Sequence, residues 1–158
     1  MNPKHLALRA QQCRLLASVS SCPRRQVGAL ILDPESNVVV SEGYNGPPRG
    51  AEGHLCGGYM CHRDVLEIER GIRNDVGCHH AEENAILNAS RTGSSTRGRW
   101  MLCSCDPCLM CAKMIHHAGI ERLYAPLLGG AHAEGLDYLR THYVELFQLS
   151  PITDSNEN

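Results

Sequence analysis

Residues 78–85 read CHHAEENA, and residues 105–111 read CDPCLMC. Cys108 and Cys111 form a C-x-x-C pair, the spacing at which two thiolates grip one zinc ion. Pro107 precedes them, and the pattern predicts a helix starting there, whose N-terminus favours thiolate charge. A lone C-x-x-C also serves redox chemistry. His80 tips the reading towards metal, because the segment from Ala81 predicts a second helix and two helix starts can converge on one ion. His80, Cys108 and Cys111 are three ligands, which leaves a fourth position open as in a catalytic zinc site. Glu82 is two residues beyond His80, about 200° around a helix, so it does not reach the ion from the same face. It fits better as a carboxylate that moves protons beside the metal. The alternative is a closed structural zinc with Glu82 as a solvated surface residue.

Nine cysteines, an odd number, favour metal over disulfides in a reducing compartment. The N-terminal stretch carries Arg and Gln where an export signal needs an unbroken apolar run, so a cytoplasmic protein is expected. No apolar run approaches the length of a membrane span. The formal net charge is −2, with a pI near 6.5. That balance, with one Trp and one Phe, counts against a nucleic-acid groove built on basic and stacking side chains. The adjacent Arg24 and Arg25 make a local basic patch.

These residues need a scaffold, and 158 residues suffice for one domain. Helical spacing predicts a helix over residues 4–18, with Cys13 buried as a small apolar side chain. VGALILD (27–33) and VVVSEGY (38–44) predict strands joined by the turn PESN, hence a hairpin. A Gly- and Pro-rich loop follows over 45–58, then a short polar helical insert over 61–71. Helices are predicted over 81–90, 108–118 and 134–141, the second of these stopped by Gly119. Strands are predicted over 99–104, 121–125 and 143–149. Strands alternating with helices argue for a layered α/β domain over residues 1–150, with a frayed tail over 151–158.

His80-Ala81-Glu82 and Pro107-Cys108-Leu109-Met110-Cys111 match the H-x-E and P-C-x-x-C signature of zinc deaminases. SSCPRRQVGALIL (20–32), EGYNGPPRG (42–50), HAEENAI (80–86), SCDPCLMCAKMIHHAGIERLYA (104–125) and GLDYLR (135–140) together resemble the deoxycytidylate deaminases over nearly the whole chain. The resemblance implies a layered α-β-α, cytidine-deaminase-like fold on a five-stranded mixed sheet that starts with a β-hairpin. It implies hydrolysis of dCMP to dUMP and ammonia, supplying dUMP for thymidylate synthesis. Glu82 would carry a proton to N3 of the base and then to the leaving amine. Backbone groups near Ala81 and Ser104 would hold the base edge, Asn45 the deoxyribose, and Arg24, with Arg25 as a second candidate, the 5′-phosphate. Tyr124 would pack against the substrate.

The resemblance further implies a homo-oligomer, with a hexamer favoured, activated by dCTP and inhibited by dTTP with magnesium. Gly43, Tyr44, Gly46, Arg49 and Gly50 are the expected part of the effector site, since glycine-rich turns cradle phosphates. A second, structural zinc is expected from Cys22, Cys56, Cys61 and Cys78, with His54, His62 or His79 as possible replacements for one of them. It would staple a loop-rich insert with little apolar content of its own. Cys103 is expected in the core, Cys105 as a spectator, and Glu83 as a solvated helix residue. Two other readings remain at this point: a deaminase of a tRNA or single-stranded DNA base, and a zinc-held module without catalysis. An intact Glu82 speaks against the module, because a structural zinc does not require it.

Overall fold

The computed structural model describes residues 1–48, 50–51, 60–69 and 76–149. Arg49, His54, Cys56 and the tail 151–158 lie outside the described residues, and so does part of the 61–71 insert. In chain order the elements are α1 (Pro3–Ala17), β1 (Gly28–Leu32), β2 (Val39–Tyr44), α2 (His62–Val65), α3 (Ala81–Thr92), β3 (Trp100–Cys103), α4 (Leu109–His117), β4 (Arg122–Ala125), α5 (Ala133–Thr141) and β5 (Glu145–Gln148). A 3-10 turn, Gly130–His132, leads into α5.

The strands form one mixed sheet in the order β2-β1-β3-β4-β5. β1 runs antiparallel to both β2 and β3, while β3, β4 and β5 are parallel. β1 is buried along its whole length because helices cover both faces of the sheet, which is why GALIL is apolar throughout and does not alternate. Leu30 and Leu32 point to the α1 side with Cys13, Leu102 and Tyr124. Ala29 and Ile31 point to the other side, with Ala81, Ala85, Ala89, Met101, Cys103 and Ile115. Burying Leu30, Ile31 and Leu32 contributes roughly 1.5–3 kcal/mol each.

Two glycines set how closely helices approach. A Cβ on Gly28 would stand 2.3 Å from the Cys13 carbonyl oxygen, so α1 rests directly on β1. A Cβ on Gly43 would stand 2.3 Å from the Ala85 nitrogen, so α3 rests directly on β2. Two side-chain amides fasten the same pair of elements: Asn84 Nδ2 donates to the Tyr44 carbonyl and Asn88 Nδ2 to the Glu42 carbonyl, both at 2.8 Å.

α1 begins at Asn2, whose side chain accepts from the Lys4 amide at 2.9 Å, with Pro3 in the first turn. α3 ends at Gly93, with φ 72°, and Gly119, with φ 73°, follows α4. The N-termini of α3 and α4 therefore meet at one end of the sheet, where β3 and β4 end and β1 begins. That is the crevice in which open α/β sheets place their ligands.

Candidate active site

His80 stands just before α3, and Cys108 just before α4. Nδ1 of His80 lies 3.5 Å from Sγ of Cys108 and 3.4 Å from Sγ of Cys111. One ion with ordinary zinc–nitrogen and zinc–sulfur bonds at a tetrahedral angle requires about 3.5 Å between those atoms. The three ligand atoms all lie within 4.8 Å of one another, so the donor set fits a zinc ion in both chemistry and spacing.

The three side chains share their protons. The hydrogen bond with Cys111 is the main influence pulling the Cys108 thiol down, to about 3, and His80 assists. The same bond pushes Cys111 up, so of the two sulfurs Cys108 is the thiolate and Cys111 keeps the proton. His80 is raised to about 9, chiefly by its hydrogen bond with Cys108 and against the opposing effect of burial.

Glu82, in the first turn of α3, is only 2% exposed. Burial drives its carboxyl up, and the neighbouring His80 charge only partly offsets this. A desolvated carboxyl beside a three-ligand site is suited to taking and returning a proton. It is not a fourth ligand of that cluster; its oxygen groups instead with the sulfurs of Cys103 and Cys105.

The family profile described as the cytidine and deoxycytidylate deaminase zinc-binding region matches residues 4–126, which contain all of these groups. The chain belongs to this family. It is similar to ComE operon protein 2 of Bacillus subtilis (strain 168), with 35% identity over 144 residues that cover 90% of this chain and 65% of that protein. It is similar to the deoxycytidylate deaminase of Homo sapiens, with 38% identity over 114 residues that cover 69% of this chain and 57% of that protein. The chain thus spans less than two-thirds of the length of these curated relatives. Among solved structures it resembles the dCMP deaminase of cyanophage S-TIM5 in complex with dCMP and dUMP, with TM-score 0.72, 27% identity, and coverage of 94% of this chain and 99% of that one. The five-stranded mixed sheet is the cytidine-deaminase-like fold expected from the sequence.

A circuit of contacts runs around the metal-binding cluster. The Gly46 amide donates to the His79 carbonyl at 3.2 Å. Asn45 Nδ2 donates to the Arg25 carbonyl at 2.8 Å. Arg25 Nη1 lies 3.5 Å from Nε2 of His132. Gly135 of α5, three residues on, packs so closely that an added Cβ would stand 2.2 Å from the Pro107 carbonyl oxygen, next to Cys108.

Ala81 is fully buried at the start of α3. Ser104 continues the β1–β3 pairing: its amide donates to the Gly28 carbonyl, and its hydroxyl accepts from the Gly28 amide, both at 3.0 Å. Asn45 is at the rim, but its amide binds backbone on both sides, with Oδ1 accepting from the Val27 amide at 2.7 Å. It staples the entry to β1 onto the exit of β2.

The structure changes several expectations. Arg24 does not face the mouth as a phosphate ligand: its Nη1 binds Asp64 Oδ1 at 3.0 Å and the Ile68 carbonyl at 3.2 Å. It clamps the insert to the entry of β1, whereas the adjacent Arg25 is exposed. Tyr124 is not on the metal side of the sheet. It is 4% exposed on the α1 face, stacked on Phe147 with 5.0 Å between centroids. Side chains alternate along a strand, and its neighbours Leu123 and Ala125 take the other face.

Gly43 is a packing glycine inside β2, pressed on α3, and not a loop that cradles phosphates. Tyr44 ends β2, Gly46 bridges to His79, and Gly50 has φ 87°. Glu83 is not simply solvated. It accepts from the His80 amide at 3.4 Å in a capping box and lies 3.7 Å from His79. Cys61 is buried at the start of α2, while Cys22 and Cys78 are half-buried. Among the described residues, the clusters able to hold a metal include none of these three.

Two groups at the site carried no clear sequence signal. His132 faces Arg25, and among the described residues its buried Nδ1 has no hydrogen-bond partner. Asp106, 5% exposed, accepts from the Leu127 amide at 2.7 Å and the Gly129 amide at 2.8 Å. It ties the loop after β4 to the metal-binding turn. The loop needs that tie, because Leu127 holds φ 55° without being glycine.

Proposed function

We propose that this chain hydrolyses dCMP to dUMP and ammonia, as a hydrolase of the cyclic amidine C–N bond. The observation that carries the reading is the convergence of His80, Cys108 and Cys111 at zinc spacing with the buried Glu82 carboxyl beside them. The likeness to a dCMP deaminase solved with dCMP and dUMP supports the choice of substrate. Zinc, when held by His80, Cys108 and Cys111, supplies the Lewis acidity that makes water a nucleophile at neutral pH. Glu82 accepts a proton from the attacking water and delivers it to N3 of cytosine; it then takes the second proton from the new hydroxyl on C4 and gives it to the amine as the C4–N bond breaks, so that one water enters and one ammonia leaves. Backbone groups at Ala81 and Ser104 hold the base edge. Arg25 and His132 meet the 5′-phosphate, Arg25 as a guanidinium fork and His132 as a second donor.

Regulation and supply follow the family resemblance. dCTP activates and dTTP inhibits with magnesium, in a hexamer whose dUMP feeds thymidylate synthesis in the cytoplasm. Tyr44, Gly46 and Gly50, with Arg49, form the effector-facing turn. A second, structural zinc is held by Cys22, Cys56, Cys61 and Cys78.

The test is loss of cytosine absorbance with purified protein and dCMP, alone and with each triphosphate, beside zinc content per chain. Glu82→Gln keeps its zinc and loses turnover by about 10²–10⁴-fold. Normal turnover in that variant would remove Glu82 from the chemistry. Indifference to both triphosphates would remove the effector turn. One zinc per chain, unchanged by Cys22→Ser, would remove the second metal.

A further inference from the structure

β3 ends at Cys103, directly behind Glu82, and Cys105 follows two residues later. The carboxylate oxygen of Glu82 and the sulfurs of Cys103 and Cys105 all lie within 4.8 Å of one another. All three residues are buried, Cys103 completely. Cys105 is fixed by its own bond, donating to the Asp106 carbonyl at 3.4 Å. Cys103 is within reach of both this fixed sulfur and the carboxylate, which is the stronger acceptor of the two.

We infer that Cys103 is a positioning residue for Glu82: its thiol, braced by Cys105, holds the carboxylate in the orientation that the proton relay uses. The inference rests on the deaminase reading of the site. The Cys103 sulfur lies within 4.8 Å of the carboxylate oxygen, so a small rotation turns its single S–H from Cys105 to Glu82. A buried carboxylate with too few donors swings or is left unsatisfied, which costs more than the bond itself gains. A thiol is a weak donor, so it can orient the group without fixing a proton in place.

The same three atoms resemble a metal-ligand cluster, but the surroundings disfavour a second ion there. Cys103 is held protonated, first by its hydrogen bond with Cys105 and then by burial. An ion in this pocket would also sit close to the His80 site in a low-dielectric interior, where two like charges repel strongly.

The experiment compares wild type, Cys103→Ala and Cys103→Ser for kcat, KM for dCMP, zinc content and Tm, with a crystal structure of each. In Cys103→Ala, kcat should fall about tenfold, the size of effect a lost hydrogen bond to a charged group gives. KM and zinc content should stay unchanged, and the Glu82 side chain should leave its wild-type rotamer. Cys103→Ser should restore most of kcat and the rotamer although its Tm falls as far as that of the alanine variant. Equal kcat losses in both variants, tracking Tm, would reduce Cys103 to a packing residue and overturn the inference. So would a Glu82 rotamer that is unchanged in Cys103→Ala. A wild type that leaves dCMP untouched would instead defeat the substrate assignment, while the rotamer comparison would still decide the role of Cys103.

Discussion

Three side chains at the metal centre share their protons in a way that predicts how metal uptake depends on pH. Cys108 is ionised above about 3. His80 keeps its proton up to about 9 because it hydrogen-bonds the Cys108 thiolate, and Cys111 keeps its proton for the same reason. Zinc requires a neutral imidazole and two thiolates, so loading the site between pH 5 and 8 displaces about two protons, one from His80 and one from Cys111. Apparent zinc affinity should therefore rise about a hundredfold per pH unit across that window, and about tenfold per unit above about 9, where His80 has lost its proton and Cys111 still holds its own. Chelator competition at pH 6 and 7, with calorimetry in two buffers of different ionisation enthalpy, measures the slope. A slope near zero would mean that the three side chains are not the ligands. Their identities were readable in the sequence because metal chemistry restricts both residue type and spacing. The roles of Arg24 and Arg25 were not, because the partner of Arg24 is Asp64, forty residues away in the insert.

At the scale of elements, the hydrophobic pattern and the stop signals carried most of the fold. Every strand and long helix read from the sequence is present, with ends differing by one or two residues, as fraying allows. Patterns report periodicity, however, and not which face of a strand meets which layer. Tyr124 was misplaced for that reason: its strand was right, but its side of the sheet depends on packing with α1. Gly43 was misread similarly, as part of a glycine-rich turn, when it is the point where α3 touches β2. Gly43→Ala tests this packing. The methyl group meets backbone atoms of Ala81, Asn84 and Ala85, which cannot rotate away, so α3 must shift. Overpacking of this kind costs about 1–3 kcal/mol, measurable as a lower denaturation midpoint. Because α3 starts beside His80 and carries Glu82, kcat should fall as well. A fully stable Gly43→Ala would mean that β2 and α3 can move apart to admit a methyl group without cost.

The whole molecule places its chemistry at one end, and the segments that close that end come from distant parts of the chain. The entry to β1 supplies Arg25, the exit of β2 Asn45, the start of α3 His80, the turn before α4 Cys108, and the approach to α5 His132. No short stretch contains this ring, which is why the metal site was legible and the mouth was not. The ring predicts discrimination between a nucleotide and its nucleoside. Arg25 Nη1 and His132 Nε2 lie 3.5 Å apart, so a phosphate dianion beside the pair gains two donors. Arg25→Ala and His132→Ala should each raise KM for dCMP about tenfold or more, the size of a charge-assisted hydrogen bond, with little change in kcat. Any turnover of deoxycytidine, which offers no phosphate, should be unchanged in both variants. Arg24→Ala should behave differently: by releasing Asp64 and Ile68 it loosens the insert, lowering stability and affecting both substrates alike. Parallel kinetics with dCMP and deoxycytidine across the three variants separate these outcomes. If Arg24→Ala alone weakened dCMP selectively, the phosphate would belong to Arg24, and the insert would have to open its clamp to bind substrate.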